Sequence, residues 1–166
     1  MFSIQIIKHS KASTHDLNRA IAIKQTAWPY PQESQLLWMQ NNLQPNDLHF
    51  FLQEDGMDVA YLNIAWVHVC LNGIDTLFAG IGNVCAKQIH GGYGKKLIEN
   101  VVKELKEKKL PGILFCRNSL VGFYSKYNWC LINPKQISLP NDLKNINTMV
   151  CNIGNIESIV YNDRNF

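Results

Sequence analysis

A cluster of glycines directly before a helical segment is the feature that most constrains this chain. The stretch HGGYGKKLIENVV, residues 90–102, has three glycines in its first five positions and then an amphipathic pattern. Glycine costs backbone entropy, so this density is typical of a chain that needs positive φ or lies close to a ligand. Because the turn opens a helix, free N–H groups and the positive end of the helix dipole meet there. The sequence therefore predicts an anion site, and a phosphate would fit it.

Two common phosphate-binding motifs do not match this stretch. A Walker A loop requires a glycine where Ile89 stands and a serine or threonine where Lys96 stands. The dinucleotide-binding fingerprint requires a further glycine at the position of Leu97, and the apolar runs before the turn read as hairpins. The anion site therefore belongs to neither a P-loop nor a doubly wound fold.

The amino-acid composition limits the classes of protein to which this chain can belong. The 166 residues, 46% hydrophobic and 17% charged, predict a single domain over residues 1–166 with one core. A net charge of +3 is too weak and scattered for nucleic-acid binding, and no apolar run predicts a membrane span. Five cysteines without a CxxC pair predict reduced thiols and no metal site. We expect a cytoplasmic protein, and a homodimer is left open.

Hydrophobic periodicity predicts a mixed α+β fold. The strand FSIQIIKH precedes a helix capped near Ser13, in which Leu17, Ala20, Ile21 and Lys24 share one face. The segment WPYP interrupts that helix before a second one, ESQLLWMQNNL. Three apolar runs follow, LHFFLQ, VAYLNIAWVHVCL and DTLFAGIGNVCA, joined by turn signals, and they predict an antiparallel meander.

The second half of the chain predicts a change to parallel pairing. The helix from Gly94 to Lys109 links the third apolar run to the short strand ILFC, and such a crossover makes two strands parallel. A short helix at VGFYSKY, a strand at WCLI and two closing strands, TMVCNI and ESIVY, complete the order. Gly80 and Gly82 lie inside the third run, where glycine favours a bulge or a close approach of another chain segment.

Two motifs resemble the GCN5-related N-acetyltransferase (GNAT) family. Residues 89–94, IHGGYG, resemble its pyrophosphate loop Arg/Gln-x-x-Gly-x-Gly/Ala, with both glycines kept and Ile89 in the leading position. NSLVGFYSKYNW resembles the downstream tyrosine signature, with Tyr124 at the tyrosine position and Trp129 as the closing aromatic residue. Asn128 stands where glycine is usual, and asparagine tolerates a left-handed backbone well. The WPYP break and closing strands are also similar, more weakly, to aminoglycoside 2'-N-acetyltransferases.

The resemblance implies a GNAT-like mixed, mostly antiparallel sheet with helices on both faces and a cofactor cleft between strands four and five. Acetyl-CoA would be the co-substrate, with its pantetheine amides on the backbone of Gly82, Asn83 and Val84. The Gly82 N–H would polarise the thioester carbonyl, and Tyr124 would protonate the departing thiolate. The remaining implied cofactor contacts are Ile89, His90, Gly91, Gly92, Tyr93, Gly94, Lys95 and Asn118.

The implied reaction is direct acetyl transfer to a primary amine in a ternary complex. A small-molecule acceptor, such as an aminoglycoside-like amine, is expected, with Trp28, Tyr30 and Glu33 as its contacts. Glu33, Asp47 and His68 are the candidates for the general base. The alternative is a catalytically inactive GNAT-like module that binds an acyl-CoA or a protein partner.

Overall fold

The computed structural model describes residues 1–166, with four α-helices and nine strands. The helices are α1 (Thr14–Ala27), α2 (Gln32–Asn42), α3 (Tyr93–Glu107) and α4 (Asn118–Ser125). The strands are β1 (Phe2–Lys8), β2 (Leu48–Glu54), β3 (Met57–Leu71), β4 (Ile74–Ala86), β5 (Gly112–Cys116), β6 (Cys130–Leu131), β7 (Ile137–Ser138), β8 (Asn147–Cys151) and β9 (Ile159–Tyr161). None of the helices is long and apolar enough to cross a membrane.

The chain divides into two compact units. The first contains residues 1–65, 82–100 and 166, and the second contains residues 66–81 and 101–165. The long strands β3 and β4 each contribute residues to both units. The single domain expected over residues 1–166 stays a prediction.

In the first unit, β1 pairs antiparallel with β2, and β2 pairs antiparallel with β3. The apolar face of α1 packs on this sheet, where Ile21 and Ile23 join Phe51 and Tyr61 in one buried cluster. Burial of such side chains contributes about 1.5–3 kcal/mol each. Met39 brings α2 into the same cluster, so both helices are fixed against the strands.

Local sequence signals set the ends of α1. Ser13 and Asp16 form a capping box, in which the Asp16 N–H donates to the Ser13 hydroxyl and the Ser13 N–H donates to the Asp16 carboxylate. The helix ends before Trp28, and Pro31 immediately precedes α2. A proline fixes φ and lacks an N–H, so the WPYP segment separates the two helices as predicted.

In the second unit, β4 and β5 are parallel, as the crossover predicted. Only two residue pairs form, Ala79 with Gly112 and Gly80 with Ile113. β4 then continues to Ala86 without further pairing to β5, whose other side pairs antiparallel with β8. The result is an α+β mixed sheet with a parallel β4–β5 pair that splays after Gly80, which confirms the expected fold class.

Candidate active site

The glycine loop joins the end of β4 to the start of α3 in the first unit. His90 and Gly92 have φ values of +67° and +76°, so two left-handed residues turn the chain into the helix. The first intrahelical bond runs from the Lys96 N–H to the Gly92 carbonyl, 3.1 Å. The N–H groups of Tyr93 and Gly94 lie ahead of that bond and have no partner within the helix. This arrangement can bind an anion through the main chain.

The side chains of the loop leave that surface open. A Cβ added at Gly92 would meet nothing within 4 Å, and residues 87–95 include no aspartate or glutamate. Ile89 is 84% exposed, so the leading position of the loop presents an apolar side chain. The Tyr93 hydroxyl donates to Glu54 of β2 at 2.7 Å, which ties the start of α3 to the sheet. Anion binding here therefore depends on the backbone, with Lys95 as an exposed cation.

β4 has an irregular backbone at the residues that the GNAT resemblance assigns to the pantetheine arm. Asn83 has φ +53°, a left-handed conformation inside a strand, and its side-chain amide donates to the Asn63 carbonyl oxygen at 2.5 Å. A Cβ on Gly82 would lie 2.5 Å from the main-chain carbon of Phe166. Only glycine fits this close approach, which confirms the prediction made from Gly82. Gly82, Asn83 and Val84 all follow the last β4–β5 pair.

Tyr124 lies in α4 of the second unit and is 5% exposed. Its ring packs edge-on against Phe123 and Trp129, with centroids 5.1 and 6.3 Å away. Burial, with a smaller effect of Cys116, raises the pKa of Tyr124 well above the ordinary value of a phenol. The hydroxyl therefore carries its proton at neutral pH, which is the state that a general acid needs.

The turn after α4 positions the closing aromatic residue. Asn128 has φ +64°, which confirms the left-handed conformation expected where glycine is usual. The Trp129 N–H then returns to the Tyr124 carbonyl at 3.4 Å. Asn118 begins α4, and its carbonyl oxygen accepts from the Asn147 amide at 2.5 Å.

A cavity of about 470 Å³ lies in the first unit, beside α1, α2 and the bend of β4. Its lining includes Lys24, Trp28, Tyr30, Gln35, Trp38 and Asn83. Trp28 and Tyr30, expected to contact the acceptor, therefore meet at one cavity with Asn83 of β4. Glu33 lies exposed on α2 and is not part of the lining, so its role stays a prediction.

Sequence reasoning missed Lys24 and Gln35 as cavity residues. Lys24 is 4% exposed, and its Nζ lies 4.6 Å from the centroid of the Trp38 ring. Burial lowers the pKa of Lys24 to about 8, and the nearby Cys85 opposes this only in part. The signal was present in the sequence, because Lys24 shares the face of α1 with Ala20 and Ile21. A lysine on an apolar helix face is unusual, because lysine is seldom fully buried.

No family model matches the chain, and no curated protein matches it. The fold is similar to the GNAT family N-acetyltransferase YhbS from Escherichia coli in complex with CoA, with a TM-score of 0.65, 14% identity, and 97% of this chain and 89% of that chain covered. The chain has the GNAT fold.

Two further solved structures agree with this result. Escherichia coli ElaA has a TM-score of 0.63 and 16% identity, over 91% of this chain and 99% of that chain. The ribosomal-protein-S18-alanine N-acetyltransferase from Escherichia coli has a TM-score of 0.62 and 19% identity, over 95% of each chain. At these identities the similarity establishes the GNAT fold, and the activity has to be argued from the site.

Within this GNAT fold, neither remaining general-base candidate lines the cavity. Asp47 is 1% exposed, and its carboxylate accepts from the Gln44 N–H at 2.7 Å, which closes the turn before β2. His68 lies in the second unit, exposed, with its Nδ1 3.0 Å from the Asp75 carboxylate. The general-base role of both residues stays a prediction.

Proposed function

We propose that this chain is an acetyl-CoA-dependent N-acetyltransferase that acts on a primary amine of a small molecule. The observation that carries the proposal is the glycine loop, which presents unpaired N–H groups at the start of α3 in a GNAT fold. Acetyl-CoA, when bound, supplies an acetyl group activated as a thioester. All five cysteines are free thiols, which suits a reducing compartment and supports a cytoplasmic location.

The main chain would hold the co-substrate. The N–H groups from Gly91 to Gly94 would bind the pyrophosphate, and Lys95 would add positive charge. Gly82 and Val84 would pair with the pantetheine amides along the part of β4 that has no partner in β5. The Gly82 N–H would also donate to the thioester carbonyl oxygen, where negative charge develops during transfer.

Tyr124 would act as the general acid. In the reaction the amine nitrogen forms a bond to the carbonyl carbon while the carbon–sulfur bond breaks. The Tyr124 hydroxyl gives its proton to the departing sulfur, and the amine loses a proton to water or to a base. Because burial keeps the pKa of Tyr124 high, the phenol carries its proton at neutral pH and is available to donate it as the carbon–sulfur bond breaks.

The cavity beside α1 and α2 is our candidate acceptor site, with Trp28 and Tyr30 in its wall. An aminoglycoside-like amine is the acceptor suggested by the sequence resemblance. A polycation of that kind normally needs carboxylates around it, and no aspartate or glutamate lines this cavity. The cavity therefore favours a small acceptor with a single amine.

The test is thiol release from acetyl-CoA in the presence of a panel of primary amines. Tyr124→Phe keeps the ring packing and removes the proton, so we expect kcat to fall about 100-fold or more. Tyr127→Phe is the matched control, since Tyr127 follows α4 and packs against Phe123. Equal rates for Tyr124→Phe and the wild type would contradict the assigned role.

The alternative is a GNAT-like module that binds an acyl-CoA without turnover. The exposed Ile89 keeps it open, because that position of the loop lacks a polar side chain. Binding of acetyl-CoA with no thiol release for any amine would favour this alternative over the enzyme.

A further inference from the structure

A second cavity, of about 300 Å³, lies in the second unit, between Ile132 after β6 and Thr148 on β8. Residues of β7, β8 and the loops beside them form its wall. None of these residues belongs to the glycine loop, to β4 or to the cavity in the first unit. The second cavity therefore has no role in the proposed acetyl transfer.

The walls of the second cavity are aliphatic. Most of the surface comes from five apolar side chains, none of them aromatic: Ile132, Pro134, Ile137, Leu139 and Ile146. Ile132 is 5% exposed and Ile146 is 38% exposed, so the wall includes both core and surface residues. A cavity of this kind gains free energy when an apolar chain displaces water from it, and an aliphatic chain matches these side chains.

Thr148 adds a buried hydroxyl that the fold does not use. The residue is 3% exposed, and its Oγ1 has no hydrogen-bond partner. Its main chain is satisfied, because the carbonyl accepts from the Ile132 N–H at 3.0 Å and the residue pairs with Phe115 of β5. A rotation about χ1 exchanges the places of a threonine hydroxyl and methyl group, so the hydroxyl is available to a ligand in the cavity.

The charge of the lining selects the group that this hydroxyl binds. Lys144 is the one charged side chain in the lining, and it is exposed. No aspartate or glutamate lines the cavity. A threonine hydroxyl can donate or accept, and a neighbouring ammonium favours an anionic acceptor. A carboxylate is a monoanion, so the single charge of Lys144 balances it.

Hydrogen bonds within the second unit hold the wall in place without a ligand. The Asn147 amide donates to the Asn118 carbonyl oxygen at 2.5 Å. The Asn133 carbonyl oxygen accepts from the Lys135 N–H at 2.9 Å, and the Gln136 amide donates to the Ile156 main-chain carbonyl at 2.8 Å. A wall that is already ordered loses little conformational entropy when a ligand binds.

We propose that the second cavity binds an aliphatic carboxylate. The chain of the ligand packs against Ile132 and Ile137, the Thr148 hydroxyl donates to the carboxylate, and Lys144 supplies the opposite charge. This inference is independent of the proposed acetyltransferase function, and its tests need no acetyl-CoA.

The first experiment measures binding of octanoate and of its neutral analogue octanamide by calorimetry. We expect octanoate to bind at least about tenfold more tightly, the ratio typical of one hydrogen bond to a charged group. Thr148→Val removes the hydroxyl at nearly constant volume and should weaken octanoate binding about tenfold, whereas Thr148→Ser should keep most of the affinity. No binding of octanoate, or equal affinity for the two probes, would overturn the proposal.

Lysine variants test the charge. Lys144→Met should reduce the preference for octanoate over octanamide. Lys135→Met is the matched control, since Lys135 is also exposed and lies in the turn beside β7 but does not line the cavity. A preference that is equally strong in Lys144→Met and Lys135→Met would contradict the role of Lys144.

The stability of Thr148→Val separates a ligand site from a structural hydroxyl. Because the hydroxyl has no partner in the fold, its replacement by a methyl group should leave the urea midpoint of the ligand-free protein unchanged or raise it. A lower midpoint would show that the fold itself uses the hydroxyl, against the proposal.

The last experiment places the ligand without any variant. In NMR spectra of protein with isotope-labelled isoleucine methyl groups, octanoate should shift the signals of Ile132, Ile137 and Ile146. The signals of Ile21 and Ile23, in the buried cluster of the first unit, should stay unchanged. Binding that leaves the three cavity isoleucines unshifted would place octanoate elsewhere and overturn the assignment.

Discussion

Lys24 makes the folded protein sensitive to pH in an unusual range. Its pKa falls from 10.5 to about 8 because burial disfavours the ammonium, so below pH 8 the folded state bears the full cost of that charge. Between about pH 8 and 10.5 the unfolded chain binds more protons than the folded one, and the cost is relieved as pH rises. The shift corresponds to about 3 kcal/mol.

We therefore expect Lys24→Met to be more stable than the wild type at pH 7, by up to about 3 kcal/mol. The difference should shrink as pH rises from 8 to 10.5. Urea unfolding of both proteins across this range measures it, and the comparison cancels the titration of Cys85, which both share. A variant less stable than the wild type at pH 7 would show that the ammonium contributes more than its burial costs.

His49 is the corresponding acid-sensitive residue. It is 1% exposed, with its Nδ1 2.8 Å from the Tyr61 hydroxyl and its Nε2 3.0 Å from the His9 ring. Burial, with the neighbouring His9, lowers the pKa of His49 from 6.5 to about 4. Between pH 6.5 and 4 the unfolded chain takes up a proton that the folded chain does not. The free energy of unfolding therefore falls as pH drops from 6.5 to 4.

We expect a loss of up to about 3 kcal/mol over that window in the wild type. In His49→Gln the free energy of unfolding should depend less on pH between 6.5 and 4. His15→Gln, at an exposed position of α1, should keep the wild-type slope. An identical slope in His49→Gln and the wild type would assign the acid sensitivity to other groups.

Among the elements, β4 depends most on one backbone conformation. Asn83 adopts φ +53° at the bend, where glycine and asparagine are tolerated and a β-branched residue is not. Asn83→Val and Asn83→Gly both remove the bond to Asn63, so a comparison of the two isolates the backbone. We expect Asn83→Val to be the less stable by about 1–2 kcal/mol in urea unfolding. Equal stability of the two variants would mean that the bend does not require a left-handed residue.

Features that depend on a few adjacent residues could be predicted from the sequence, whereas contacts between distant residues could not. The helix cap at Ser13, the WPYP break and the left-handed Asn128 each depend on a few adjacent residues, and each was predicted. A bulge or a close approach was expected from Gly80 and Gly82, and the close approach of Phe166 lies at Gly82, next to the left-handed Asn83. The bond from the Asn83 amide to Asn63 on β3 was not predictable, because it joins residues distant in sequence.

At the scale of the whole molecule, the order of elements and the parallel pairing were predictable because a crossover helix fixes strand direction. The expectation of a GNAT fold came from two motifs of a few residues each, and the similarity to solved GNAT structures confirms it. The cavity was predictable only in part, through Trp28 and Tyr30. Lys24 was predictable only as one residue of an apolar helix face, since its burial depends on contacts with α2 such as the Trp38 ring.

In the proposed function the glycine loop binds the pyrophosphate of acetyl-CoA. Gly92→Glu places a carboxylate in that loop, and Gly56→Glu is a matched control. Both glycines have positive φ, +76° and +80°, and open space at the Cβ position, so the strain of substitution is the same. Gly56 lies in the β2–β3 turn, away from the loop in sequence.

The most direct measurement is therefore calorimetric titration of acetyl-CoA into the wild type, Gly92→Glu and Gly56→Glu. We predict binding to the wild type and to Gly56→Glu, and loss of binding in Gly92→Glu through repulsion of the phosphates. Failure of the wild type to bind, or equal binding by both variants, would contradict the assignment of the loop.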